Sequence, residues 1–419
     1  MIKVRELSNG IPVVMERMEY LKTASFGVWV RVGSAFENLQ NNGMSHMLEH
    51  MVFKGTEKRT AKMLADDMAV IGGNLNACTC KEYTSYYATT LDEHVCRAVE
   101  LIGDMLLHSR FDEEDFEREK GVVLEEIMMY EDSPEDLVHE MLQKSVWQDH
   151  PLGYLISGDS DVVQNFTRED LVEFYRAHYV AENMLISVAG RFEEEELIVA
   201  CEEAFGGIRK GSNRYFLSTP EYHRTCYCQE KDIEQVHMNL AFPGTTINTE
   251  KKYALTIANE ILGGSDNSRL FQRIREEMGM TYSIFSYSSP YLRAGLSHVD
   301  VVMNPANMEA VFDGILEVIR EYQRTGMTGE ELLRTKEQLK VELMIASEST
   351  RSRMDSNGKA MMYRGEPVPL TETLNRIVAV DQDAIIQSVL EFFDLSRMSI
   401  SLVGNVNVPG SRYLASYIK

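Results

Sequence analysis

The sequence predicts an α+β fold: two homologous domains, each a mostly antiparallel sheet packed with helices, joined by a linker. Three observations carry this. At 419 residues the chain exceeds one ordinary core and favours two domains of about 200 residues. A stretch over 206–220, rich in Gly, Ser, Asn and Pro, breaks all periodicity. The order of elements before that break recurs after it. The boundaries drawn are 1–208 for an N-terminal domain, 209–222 for the linker and 223–419 for a C-terminal domain.

Local patterns justify the elements in turn. Val4 to Leu7, an Asn9-Gly10 turn and Ile11 to Met15 read as a hairpin. A β-rich run follows from Ala24 to Val32. Asn42, Gly43 and Ser45 open a helix through His46. Thr60 caps the next helix, which stops at Gly72-Gly73. Alternating runs over 74–80 and 83–90 predict strands. Helices are expected over 93–108, 112–130, 168–178 and 193–204, with a strand at 184–189.

Beyond the linker come a strand over 236–242, a helix over 249–262, strands near 282–289 and 296–303, and long helices near 306–325 and 328–346. Residues 183–190 resemble 397–404, and Asp112 to Glu126 aligns without gaps on Thr328 to Glu342. Two copies of one domain follow.

Hydrophobic residues make up 44% and charged residues 26%, as in soluble globular proteins. No apolar run approaches the ~20 residues of a membrane span, and the first ten residues lack a signal core, so a cytoplasmic protein is expected. The net charge of −23 argues against nucleic acid and favours basic or neutral peptide partners. The six cysteines include two C-x-C pairs, Cys78/Cys80 and Cys226/Cys228. That spacing is short for zinc, and they read as buried or half-buried thiols in a reducing compartment.

Residues 46–50 read His-Met-Leu-Glu-His. On a helix, positions i and i+4 share a face, so His46 and His50 can bind one zinc ion. Two imidazoles, a carboxylate and an open position suit a catalytic zinc, and Glu49 lies beside the pair as a proton acceptor. This is the inverted zincin helix, H-x-x-E-H. The helix from Asp112 offers Glu119, Glu125, Glu126 and Glu131 for the third ligand. Glu119 and Glu126 share a face, and Phe116, Val123, Ile127 and Tyr130 supply the adjoining apolar one. Only the first copy carries the His pair; the second has Ala258-Asn259-Glu260 there.

Gly43-x-x-His46-x-Leu48-Glu49-His50-Met51-x-Phe53-Lys54-Gly55-Thr56, with a Glu 76 positions after His50, resembles the pitrilysin-type (M16) metallopeptidases. The resemblance is greatest to the short two-domain branch that includes the mitochondrial processing peptidase and bacterial relatives. It implies one Zn2+ per chain on His46, His50 and Glu126, with Glu49 as general base and Glu119 supporting the site without ligating. Glu125 would point about 100° away.

Asn74-Leu75-Asn76-Ala77, after Gly72-Gly73, resembles the family's edge strand, on which an extended peptide is laid by backbone pairing. Arg275 and Tyr282 resemble its Arg/Tyr pair, which binds substrate carbonyls or a developing oxyanion. Larger members hold four such domains, with the pair opposite the metal. This two-domain chain carries both motifs, so a homodimer enclosing a chamber is expected, with no membrane or nucleic-acid partner. The resulting expectation is a zinc endopeptidase acting on peptides or extended protein segments. The alternative is a catalytically silent peptide-binding subunit supporting a partner protease.

Overall fold

A computed structural model of the chain describes residues 2–211 and 217–418, so residues 212–216 of the expected linker lie outside the described residues. Two compact units form. Unit 1 gathers Met1–Met128, Tyr154–Leu217 and Met344–Leu370; unit 2 gathers Met129–Gly153, Ser218–Leu343 and Thr371–Lys419. Each unit thus borrows a segment from the other half of the chain, which a division at 209–222 does not foresee.

In the first half the chain runs β1 (Ile2–Glu6), β2 (Pro12–Arg17), β3 (Thr23–Val30), α1 (Met44–Met51), α2 (Ala61–Val70), β4 (Asn74–Thr79) and β5 (Thr84–Leu91). It continues with α3 (Val95–His108), α4 (Glu113–Asp132), α5 (Pro134–Trp147), α6 (Ser160–Gln164), α7 (Arg168–His178), β6 (Met184–Gly190) and α8 (Glu194–Phe205). The Thr60 side chain accepts from the Met63 N–H and caps α2. The sheet of unit 1 has the order β1-β2-β6-β3-β5-β4. β2 and β6 are parallel, and the other neighbours are antiparallel.

The second half contributes β7 (Cys226–Glu230), β8 (Val236–Pro243), α9 (Lys251–Asn259), β9 (Thr281–Pro290), β10 (Gly295–Met303), α10 (Met308–Thr325) and α11 (Gly329–Ser347). There follow α12 (Thr350–Arg364), α13 (Leu370–Ala379), α14 (Gln382–Phe392), β11 (Ser399–Gly404) and α15 (Pro409–Ile418). The sheet of unit 2 has the order β7-β11-β8-β10-β9, with β7 and β11 parallel and the rest antiparallel. This reproduces β2-β6-β3-β5-β4 strand for strand, as a duplicated α+β domain requires.

One face of the unit 1 sheet forms the main core, where Phe26, Val28 and Val30 of β3 meet Met47, Leu48 and Met51 of α1 and Val99 and Ile102 of α3. Its other face lays Val14, Trp29 and Leu185 against Met354, Met361 and Met362 of α12. In unit 2, α5 covers the corresponding face, with Leu137 and Val138 on Val403 of β11. Periodicity alone did not predict α5, α6, α12, α13, α14, α15 or β7. The reason is plainest in α12, whose buried side includes Arg353, Asn357 and Gly358 beside its methionines. Arg353 pairs with Glu16 at 2.8 Å, and Asn357 donates to the same carboxylate at 2.7 Å. A helix whose hidden face is partly polar leaves little 3.6-residue hydrophobic signal.

Candidate active site

The site is built on α1. Its first turn is anchored by Glu37, whose carboxylate accepts from the backbone N–H groups of Gly43 and Ser45, each at 2.7 Å, and from the Asn42 amide at 2.9 Å. A carboxylate at a helix start satisfies donors that have no partner within the helix. Gly43 caps the helix with φ +102°, and a Cβ there would lie 2.8 Å from the Ser157 carbonyl oxygen, so only glycine fits.

One helical turn apart, the imidazoles of His46 and His50 stand with ring centroids 4.7 Å apart, edge to face. α4 delivers the acids. Phe116, Val123 and Ile127 bury its apolar face, and Tyr130 is half-buried. This docking places Glu119 and Glu126 beside α1. Glu126 Oε1 lies 3.7 Å from His46 Nε2, and its Oε2 lies 3.4 Å from His50 Nε2. One ligand atom from each of His46, His50 and Glu126 falls within 4.8 Å of the others, and among the described residues no other set of three His, Cys, Asp or Glu does so. Tetrahedral zinc with bonds near 2.0–2.1 Å sets its donors about 3.3 Å apart, so these residues fit the ion with small adjustments.

Glu119 is buried, and its Oε2 lies 3.2 Å from His50 Nδ1. The bond fixes the ring so that Nε2 faces Glu126. Lys54 balances the charge, with Nζ 2.6 Å from Glu119 Oε1. Glu125 and Glu131 are exposed. Glu49 accepts a hydrogen bond from the Thr79 hydroxyl of β4. Burial raises its pKa, and the Thr79 bond opposes the rise. Burial and the neighbouring His50 lower His46 to about 4, so its imidazole is neutral, as a ligand must be.

β4 is an edge of its sheet, paired with β5 alone. Asn74 and Asn76 are exposed, while Leu75 and Ala77 pack on the unit 1 core. No strand pairs with the outer edge of β4 among the described residues, and there the Ala77 N–H donates to the Asn76 side-chain oxygen at 2.9 Å. Arg275 and Tyr282 lie in unit 2, Arg275 in the π-helical segment Phe271–Glu277 and Tyr282 at the start of β9. The guanidinium stacks 4.9 Å from the Tyr282 ring centroid and 4.5 Å from that of Phe271, and Tyr282 is 80% exposed.

Sequence reasoning did not single out Thr79 or Glu37, and it quoted Lys54 within the family motif without giving it a role. Thr79 had a usable signal, since it continues the inward alternation of Leu75 and Ala77. Glu37 had none, because its role depends on a loop returning to the start of the helix. The thiols also need correction. Cys78 and Cys228 are exposed rather than buried or half-buried, and only Cys201 is fully buried. Cys78 lies on an edge strand, on the same face as the exposed Asn76.

A duplicated α+β domain with two imidazoles and a carboxylate converging in one copy defines a two-domain protein with, among the described residues, a single metal-type centre. The family model described as Insulinase (Peptidase family M16) matches residues 12–160, and that of the Peptidase M16 inactive domain matches residues 165–339. The chain belongs to peptidase family M16. It is 38% identical over 408 residues to the uncharacterized zinc protease YmxG of Bacillus subtilis, across 97% of this chain and 100% of that one. An uncharacterized zinc protease of Rickettsia felis is 34% identical over 97% of this chain and 98% of its own.

Two solved structures share the fold. A peptidase M16 inactive domain from Pseudomonas fluorescens matches with TM-score 0.89 and 19% identity, over 96% of this chain and 98% of that one. A protease from Helicobacter pylori matches with TM-score 0.90 and 20% identity, over 96% and 99%.

Proposed function

We propose that this chain is a zinc-dependent endopeptidase that cleaves peptides or extended protein segments, with one zinc ion on His46, His50 and Glu126. The convergence of those three side chains, with Glu49 on the helix of the two histidines, carries the reading. The relatives' designation as zinc proteases supports it.

When bound, zinc supplies Lewis acidity and a water of lowered pKa. The protein does the rest. The substrate adds as a strand along Asn74 to Ala77, held by backbone hydrogen bonds that do not depend on its side chains. Glu49, oriented by Thr79, takes the proton of the attacking water and returns it to the leaving amine. Glu119 keeps His50 in the tautomer that ligates. Arg275 and Tyr282 donate to the oxyanion or a neighbouring carbonyl.

This chain is proposed to work as a homodimer around a chamber, in which Arg275 and Tyr282 of the partner subunit complete the zinc site. The basis is that a two-domain chain carries both motifs. Such a chamber admits unfolded segments and excludes folded proteins.

The test is Glu49→Gln. Zinc content should stay at the wild-type level, while turnover of a quenched peptide falls by about 10²–10⁴. Wild-type turnover in that variant would remove Glu49 from its role.

A further inference from the structure

We propose that Cys78 and Cys80 form a reversible dithiol–disulfide site that switches Glu49 through the intervening Thr79. The site is additional to the peptidase chemistry, and its effect on turnover rests on the peptidase reading.

The geometry starts from strand alternation. Residues 78 and 80 project to one face and residue 79 to the other. The two Sγ atoms lie 3.7 Å apart, with Cys78 exposed and Cys80 half-buried. On the opposite face Thr79 is buried, and its hydroxyl holds the Glu49 carboxylate. One tripeptide therefore carries a solvent-accessible thiol pair on one side and the orienting contact of the general base on the other.

The thiols are chemically poised. Donation from the Cys78 thiol lowers Cys80 to about 7, with help from Tyr83 and Lys359 against the effect of burial. A thiolate is then present near neutral pH, and the thiolate is the attacking species. The backbone can also yield. β4 is an edge strand, and beyond Thr79 two backbone bonds hold the chain, the Cys80 N–H to the Tyr83 carbonyl at 2.8 Å and the Ala35 N–H to the Lys81 carbonyl at 2.7 Å.

A disulfide needs sulfurs near 2.05 Å and is commonest with Cα atoms about 5.5–6 Å apart, whereas these sulfurs lie 3.7 Å apart and extended residues two apart span about 6.6 Å. Closing the bridge contracts the strand at Thr79 and draws its hydroxyl away from Glu49.

The oxidant is a low-molecular-weight disulfide. The Cys80 thiolate attacks one of its sulfurs, forming a mixed disulfide and releasing one thiolate. Cys78 then gives up its proton and attacks the Cys80 sulfur, releasing the second thiol. The protein loses two electrons and two protons, and the small disulfide becomes two thiols.

Cys226 and Cys228 supply an internal control. Their Sγ atoms are 3.9 Å apart on β7, in unit 2. The residue between them is Tyr227, whose hydroxyl donates to the Gln229 side chain of the same strand.

The experiment treats the zinc-loaded full chain with excess oxidised glutathione near neutral pH, traps free thiols by alkylation and maps the peptides by mass. The expected result is a Cys78–Cys80 bridge, two hydrogens lighter, with zinc content unchanged. Turnover falls at least about tenfold and returns with dithiothreitol. The Cys78→Ser/Cys80→Ser variant keeps basal turnover and ignores the oxidant, while Cys226→Ser/Cys228→Ser responds as wild type.

The proposal is overturned if both thiols stay alkylatable, if the bridge forms with turnover unchanged, or if the Cys78→Ser/Cys80→Ser variant is inhibited equally. A protein that cleaves no peptide before oxidation contradicts the peptidase reading instead, and the mass map alone then decides whether the dithiol site exists.

Discussion

Glu119 touches both sides of the site, with one oxygen 3.2 Å from His50 Nδ1 and the other 2.6 Å from Lys54 Nζ. It is seven residues from Glu126 on the buried side of α4, so one helix supplies both the proposed ligand and the group that orients another. Removing the Glu119 carboxylate leaves His50 free to turn and takes away the Lys54 ion pair. Glu119→Ala should weaken zinc affinity by about 10–100-fold while the chain stays folded. Competition with a chelator of known affinity measures this, and unchanged affinity would refute the orienting role.

At this scale the sequence revealed the helix spacing of the His pair and the shared face of Glu119 and Glu126. Spacing alone left the third ligand open, because four acids on one helix look alike until a docking face is chosen; the family resemblance pointed to Glu126. The contacts of Thr79 and Glu37 depend on tertiary approach and could not be read from spacing.

Among the elements, α5 docks on the unit 2 sheet through a polar cluster as well as Leu137 and Val138. His139 Nε2 lies 3.2 Å from Asp300 Oδ1 of β10, and Tyr287 of β9 and Asn239 of β8 each reach His139 Nδ1 at 2.8 Å. His298 Nδ1 lies 3.0 Å from Asn239 Oδ1 and its ring stacks on Tyr287. Glu135 and Asp136 of α5, His237 of β8 and Tyr291 are the further titratable groups acting on the cluster.

Burial raises Asp300 from 3.8 to about 7. The folded chain therefore binds this proton more tightly than the unfolded chain. The resulting stabilisation is complete below pH about 4 and is lost as pH rises through about 7. His298, lowered to about 3 by burial and His139, has the opposite sign, but it is present in both proteins compared and cancels. Asp300→Asn cannot ionise, so its stability relative to wild type should increase as pH rises from about 4 to about 7. Paired thermal melts across that window measure it, and a flat difference would contradict the assignment.

Such polar burial also explains which elements were legible. The hairpin, the His helix and the amphipathic α3 and α10 showed clear periodicity. α5 and α12 escaped because His139, Arg353 and Asn357 occupy positions where a pattern reader expects apolar residues.

For the whole molecule, duplication organises the fold. The second copy keeps the strand order but has Ala258-Asn259-Glu260 in place of the His pair, and its Arg275 and Tyr282 form a stacked pair. The repeat was visible from aligned segments, whereas the reciprocal loan of α5 and α12 was not, since sequence order carries no signal for it. If the homodimer shares its sites, inactive Glu49→Gln and inactive Tyr282→Phe proteins should complement when mixed. Random exchange leaves about a quarter of the sites wild type, so peptide turnover should recover to roughly that fraction at most. No recovery despite demonstrated subunit exchange would exclude shared sites.

Metal content tests the central claim most directly. Protein purified with zinc available, dialysed and analysed for metal should hold about one zinc per chain in the wild type and close to none in Glu126→Gln. Wild-type protein without zinc, or full occupancy in Glu126→Gln, would contradict it.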